Sequence, residues 1–249
     1  LGLVAPSVSG KTMSAAPLAA GVIRPPLGGK IAVIDTEHAS ASLYADVIPF
    51  DTLIFEPPYD VVRLIAAIRT AEEAGYQGLI LDSITHFWAG EGGLLDEQST
   101  IAKRTGNSYT AWRDVTPKQN KLIETILASP IHVIATMRSK VDYVMETNDK
   151  GKQVPKKVGL APIQREGMDY EFTTVFDIGI DGHLAMASKD RTSLFDGWLG
   201  MITEETGKKM RDWLEKGGDP VPSFNDIVAI YRRKGLADES IVDRVKTVT

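Results

Sequence analysis

The sequence predicts an α/β fold with a mainly parallel central sheet covered by helices. Apolar, β-rich runs recur along the chain, helical patterns separate the early ones, and the runs are continuous rather than alternating, as in strands buried on both faces. In order, the strand-like runs are Leu1 to Val4, Ile31 to Ile34, Thr52 to Phe55, Leu79 to Leu81, Ile131 to Thr136, Thr174 to Ile178 and His183 to Ala187. A helix-like segment, Met13 to Ala20, follows the first. Asp60 is placed to cap a helix from Val61 to about Ala74, with Val62, Ile65, Ala66 and Ile68 on one face and Gly75 as its stop. A further helix is expected from about Pro117 to Ala128, closed by Ser129-Pro130. Between residues 141 and 188 short strands follow one another, which predicts late antiparallel hairpin additions at one side. From Thr203 onward the pattern is helical, and Gly217-Gly218-Asp219-Pro220 reads as a hinge. The expected organisation is a core over residues 1–197 and a small helical C-terminal region over 198–249.

Composition narrows the function classes. With 249 residues, 43% hydrophobic and 24% charged, the chain reads as one large α/β domain with a modest appendage. It has no cysteine, so disulfides and thiolate zinc sites are excluded, and its four histidines show no metal-ligand spacing. A cytosolic setting is the default expectation. No apolar run approaches the ~20 residues that span a bilayer, so no membrane partner is expected. The net charge of −5 argues against a broadly basic nucleic-acid coat and leaves room only for a local patch.

Ala5-Pro6-Ser7-Val8-Ser9-Gly10-Lys11-Thr12 lies between the first strand and the first helix. Small residues there let successive backbone N–H groups curl around an anion, while the positive end of the helix faces the same point. The order is that of a phosphate-binding loop, with Ala in place of its usual first Gly. Pro6, Ser7, Val8, Ser9, Gly10, Lys11, Thr12 and Met13 form the expected nucleotide-binding set. Lys11 would reach the β- and γ-phosphates, and the Thr12 hydroxyl would face Mg²⁺.

Two acids follow strands. Gly78 to Asp82 is an apolar run ending in a carboxylate, which by itself is as ordinary as a helix cap. Paired with the phosphate loop, Asp82 is expected to hold Mg²⁺ opposite Thr12. Ile34-Asp35-Thr36-Glu37-His38-Ala39 follows the second strand. Glu37 at a strand end is suited to polarise a water in line with a γ-phosphate, although Asp35 and Glu37 could equally do no more than solvate a loop.

The phosphate loop, the strand ending Ile-Asp-Thr-Glu-His-Ala and the strand ending Leu-Asp-Ser, in that order, resemble the RecA family of recombination ATPases. The resemblance spans about residues 1–196, with close motif identity confined to these short blocks. It implies that Glu37 is the catalytic glutamate, that Asp82 is the Mg²⁺ acid and that Tyr44 stacks on adenine. It also implies a RecA-like P-loop fold, with ATP and Mg²⁺ as cofactors. Further features resemble the short RecA-like ATPases of phages and prophages associated with single-strand annealing and recombination. They are Ile84 to Trp88, Ile134 to Lys140, the Lys-rich 150–157 with Gly159 to Pro162, Tyr170-Glu171-Phe172 and Ser188 to Thr192. In this family a polar residue after the strand ending near Thr136 senses the γ-phosphate. Met137 cannot, which leaves Thr136 and Arg138.

Lys189-Asp190-Arg191 resembles the finger of hexameric RecA-like ATPases, such as replicative helicases and the circadian clock ATPase, where it reaches a neighbour's γ-phosphate. By that resemblance Lys189 and Arg191 join Lys11 and Glu37 as catalytic residues of a homo-oligomer, ring or filament. From the residues alone, the same stretch is also a solvated charged turn. Two expected loops, Phe87 to Arg113 and Val141 to Gly167, match the loops that line the DNA channel in the family. Residues 150–157 hold four lysines and no acid. Lys150, Lys152, Lys156, Lys157 and Arg165 are therefore the expected contacts to single-stranded DNA, with a soluble hairpin turn at Asn148 to Gly151 as the bland alternative. The reading that unites these features is a Mg²⁺-dependent, DNA-acting ATPase. A P-loop small-molecule or nucleotide kinase and a regulatory switch without DNA binding are the rivals.

Overall fold

The strands pair side by side into one sheet, with the fully buried β1 (Gly2–Ala5) and β4 (Gly78–Asp82) in its middle and the exposed run Asp51–Ile54 at its edge. The structure is a computed structural model and describes residues 1–23, 29–46, 48–147 and 153–216. Its strands are β1 (Gly2–Ala5), β2 (Ile31–Asp35), β3 (Asp51–Ile54), β4 (Gly78–Asp82), β5 (His132–Thr147), β6 (Gln153–Pro162), β7 (Thr174–Ile178), β8 (Ala185–Asp190) and β9 (Leu199–Gly200). Their order is β3-β2-β4-β5-β1-β7-β8-β9, with β6 paired to β5. The pairs from β3 through β7 are parallel, whereas β5–β6, β7–β8 and β8–β9 are antiparallel. The fold is thus α/β with a mainly parallel, helix-covered sheet and late antiparallel strands.

Successive strand residues point to opposite faces, and the core divides accordingly. Leu3, Ala5, Val33, Ile80, Ile134 and Phe176 pack with Leu18 and Val22 of α1 (Lys11–Val22). On the other face, Val4, Ile34, Leu79, Leu81 and Ala135 pack with α2 (Val61–Glu73) and α5 (Ser108–Leu127). The α2 N-cap is Asp60, whose carboxylate accepts the Arg63 N–H at 3.0 Å, and Gly75 beyond its end has φ +78°.

Four stretches depart from the sequence reading. The expected loop from Phe87 to Arg113 is largely helical: α3 (Thr85–Ala89), α4 (Leu94–Thr105) and the start of α5 occupy it. Helix α5 does not start near Pro117. Its cap is Asn107, which accepts from the N–H groups of Tyr109 and Thr110, and Pro117 lies inside the helix. The buried series Ala111, Val115, Gln119, Leu122 and Ile126 runs through the proline at helical spacing, so packing overrides the local stop signal. The expected loop from Val141 to Gly167 is mostly the long β5–β6 hairpin. The strand expected from His183 begins at Ala185, and His183 closes a 3₁₀ turn, Asp181–His183.

One compact unit covers Leu1–Arg211, and the second is Asp212–Thr249. Helix α6 (Glu204–Lys216) meets α1 within the first unit. A Cβ at Gly21 would stand 2.0 Å from the Glu204 carbonyl oxygen and 2.7 Å from Gly207 Cα, so the two backbones cross with no room for a side chain. The expected hinge at 217–220 lies outside the described residues. None of the described helices is long and apolar enough to cross a membrane.

Candidate active site

The phosphate loop, Pro6 to Gly10, joins β1 to α1 at the carboxyl end of the parallel strands. Gly10 takes φ +81°, a left-handed conformation that favours glycine. Val8 at φ +61° is the exposed tip. The loop satisfies itself internally: the Pro6 carbonyl accepts from Ser9 Oγ at 2.7 Å and from Lys11 Nζ at 3.1 Å. Lys11 is only 7% exposed. Burial pulls its pKa below the usual lysine range, and the charges of Glu37 and Asp82 oppose this. The ammonium is held at the loop, poised for a stronger anionic acceptor than a carbonyl. Met13 is partly exposed in the first turn of α1.

Beneath the loop, β4 brings up Asp82, which is 0% exposed. Its carboxylate accepts from Thr12 Oγ1 and from Thr136 Oγ1, both at 2.5 Å. The topology explains the second contact: β5 lies between β4 and β1, so its Thr136 sits beside both. Burial pushes the Asp82 carboxyl up, against the two hydroxyl bonds. A buried carboxylate with hydroxyl partners but no bonded cation suits a divalent ion. No cluster of three or more His, Cys, Asp or Glu occurs among the described residues. Thr12 and Asp82, joined by their hydrogen bond, are the residues that could hold Mg²⁺ under the loop.

On the neighbouring β2, the structure replaces the bland reading of Asp35 with a definite job. Asp35 is fully buried, and its carboxylate accepts from the Glu37 N–H at 2.6 Å and the Ala41 N–H at 2.8 Å. It thereby bends the chain so that Glu37 leaves the strand end. Thr36 Oγ1 meets His86 Nδ1 at 2.6 Å and accepts from the Ser83 N–H at 2.9 Å, which ties the β2 end to the β4 end. Glu37 itself is paired with Arg138, whose Nε donates to its Oε1 at 3.0 Å. Arg138 lies beside Ala5 in the β1–β5 register, and its backbone is held by Thr85 Oγ1 and by the Ile163 N–H. Thr136 is thus engaged with Asp82, and Arg138 with Glu37.

Other expected residues lie elsewhere. Tyr44 ends the 3₁₀ turn Ser40–Tyr44 that follows Glu37, half-buried. Lys189 and the following Arg191 converge, but on the carbonyl of Tyr170, with Arg191 Nη2 at 3.1 Å. Burial, and then Arg191, pull the Lys189 pKa down. Lys189 pairs with Val175, which pairs with Gly2. The two cations therefore sit at the opposite end of β1 from the phosphate loop, about 10 Å along the strand from Ala5. Asp190 between them, which the sequence reading left without a role, organises the turn: it accepts from Thr174 Oγ1, Thr192 N–H and Oγ1, and the Phe195 N–H.

Among the expected DNA contacts, Lys150 and Lys152 lie outside the described residues, and Lys156 and Lys157 are on β6, where only the backbone is described. Arg165 sits 6.0 Å from the Trp112 ring, which stacks on Trp88. Its Nη1 is buried without a hydrogen bond.

A family model described as an AAA domain matches residues 1–211. The chain belongs to this AAA domain family. Membership makes it a P-loop ATPase domain by family, in agreement with the loop, the strand order and the acids just described. No match was found among curated proteins. A KaiC-like protein from the hyperthermophilic archaeon Pyrococcus horikoshii OT3 is 16% identical, over 78% of this chain and 80% of that one, with a TM-score of 0.45. Within this AAA domain, His183 also touches the phosphate loop, a contact absent from the sequence reading because the residue is 174 positions from Ser9.

Proposed function

We propose that this AAA domain hydrolyses ATP with Mg²⁺ and acts on single-stranded DNA in recombination or annealing, as a RecA-like ATPase of the phage and prophage type. The observation that carries the hydrolytic part is the convergence of Thr12, Asp82 and Thr136 under the phosphate loop, with Glu37 beside them on the next strand end. Loop N–H groups and Lys11 bind the phosphates and offset their charge. When bound, Mg²⁺ supplies Lewis-acid neutralisation of the β- and γ-oxygens. Glu37 accepts a proton from the attacking water as oxygen bonds to the γ-phosphorus and the bond to the β–γ bridging oxygen breaks. In the resting ion pair Glu37 is occupied by Arg138, so nucleotide entry must draw Arg138 toward the phosphates before Glu37 meets the water.

The distance of Lys189 and Arg191 from their own phosphate loop favours service to a second copy, in a ring or filament. Single-stranded DNA is proposed along the β5–β6 hairpin, whose root is Arg138. Lys150, Lys152, Lys156, Lys157 and Arg165 would meet the phosphates. The test is phosphate release with and without single-stranded DNA, alongside DNA affinity against salt. The proposal expects stimulation, and a log–log slope of about −0.7 per neutralised phosphate that flattens when the four lysines become Ala. No DNA binding with ATP and Mg²⁺ present would remove the DNA part and leave an ATPase switch.

A further inference from the structure

A histidine from late in the sequence is delivered to the phosphate loop. β7 runs parallel to β1 and ends at the same edge, so the turn between β7 and β8 emerges beside Ser9 and Gly10. His183 Nδ1 lies 3.0 Å from the Ser9 carbonyl oxygen. A carbonyl can only accept, so Nδ1 carries the proton. The ring also rests on Gly10: a Cβ there would stand 3.3 Å from Nδ1 and 3.6 Å from Cγ. Position 10 therefore disfavours a side chain for two reasons, its φ of +81° and the tight approach of the imidazole. His183 itself has φ +52° and follows Gly182 at φ +64°, in a turn closed by the Gly179 N–H to Leu184 carbonyl bond of 2.8 Å.

We infer that His183 is a positioning residue for nucleotide binding, acting by pinning the Ser9–Gly10 peptide of the phosphate loop. That peptide is trans, so its N–H lies opposite its carbonyl. With the carbonyl tied to His183, the Gly10 N–H keeps one direction and the peptide cannot turn its oxygen toward an incoming phosphate. The same bond fixes the entry to α1, because the Gly10 carbonyl accepts the first helical bond, from Ser14 N–H at 2.8 Å. The inference rests on the reading of residues 6–12 as a nucleotide site and adds a residue from a different strand connection to it.

The experiment compares Mg·ADP and Mg·ATP binding by calorimetry to the whole chain and to His183→Gly and His183→Asn. Glycine removes the donor without backbone strain. Asparagine keeps an N–H donor on a short side chain and tolerates a positive φ. His183→Gly should lose about threefold to tenfold in affinity for both nucleotides, the size of one neutral hydrogen bond. His183→Asn should recover most of it, and KM for ATP should move while kcat holds. Parent-like binding by His183→Gly, or His183→Asn no better than His183→Gly, would overturn the role of His183 and leave the nucleotide site standing. A parent that binds neither nucleotide would sink the site itself and this inference with it.

Discussion

Asp177 offers a perturbation whose size follows from its surroundings. It sits on β7 beside Val4 of β1, and burial, aided by the nearby Asp169 charge and opposed by a Ser188 hydrogen bond, raises its pKa from 3.8 to about 6. The folded protein then holds a proton between those values that the unfolded chain has released, so stability falls as pH rises through this window. A rise of roughly two units corresponds to about 3 kcal/mol, and solvent reaching a partly enclosed carboxylate reduces this to about 1–2 kcal/mol. Asp177→Asn keeps an acceptor for Ser188 and carries no charge. The variant should exceed the parent by about that amount at pH 7.5 and match it near pH 4. Urea unfolding of both proteins from pH 4 to 8 reads this difference directly, with unchanged m-values. A variant no more stable at pH 7.5, or one with the same advantage at every pH, would refute the burial argument.

Gly21→Ala places a methyl group 2.0 Å from the Glu204 carbonyl oxygen. It should destabilise by about 1–3 kcal/mol despite alanine's better helix propensity, which a melting curve checks. Thr136→Val keeps the shape of the side chain but removes its 2.5 Å bond to Asp82. It should cost about 1–2 kcal/mol of stability in urea titrations and reduce phosphate release, and undiminished release would separate Thr136 from the chemistry. Arg191→Ala and Lys11→Ala should each hydrolyse ATP poorly. Mixed, they should recover part of the activity if Lys189 and Arg191 serve a neighbour's site. No recovery in a demonstrated oligomer would put those cations outside the chemistry.

What could be read from the sequence was local. The phosphate loop occupies consecutive residues between a strand and a helix, and Asp60 and Gly75 mark α2 at its two ends because capping and left-handed turns depend on one residue each. Asp82 and Glu37 were visible as acids at strand ends. What Asp35 does was not, because its partners are backbone N–H groups whose direction depends on the turn it makes. Thr136 was legible only as one of two candidate γ-phosphate sensors, and its bond to Asp82, like the whole role of His183, escaped for another reason. Each meets the site only after β5 and β7 settle on either side of β1, and no short-range pattern encodes that adjacency. Pro117 misled because a helix stop is a weak preference, whereas the buried series from Ala111 to Ile126 secures the longer helix through packing.

The most direct test of the account is ATP binding and phosphate release, measured together on the parent, Lys11→Ala and Glu37→Gln proteins with Mg²⁺. Lys11→Ala should bind nucleotide weakly and release no phosphate, since it loses the cation at the phosphate loop. Glu37→Gln should bind ATP as the parent does and retain it unhydrolysed, since it keeps the phosphate loop and loses the carboxylate that takes the water's proton, together with its ion pair to Arg138. Phosphate release by Glu37→Gln at the parent's rate would contradict the account.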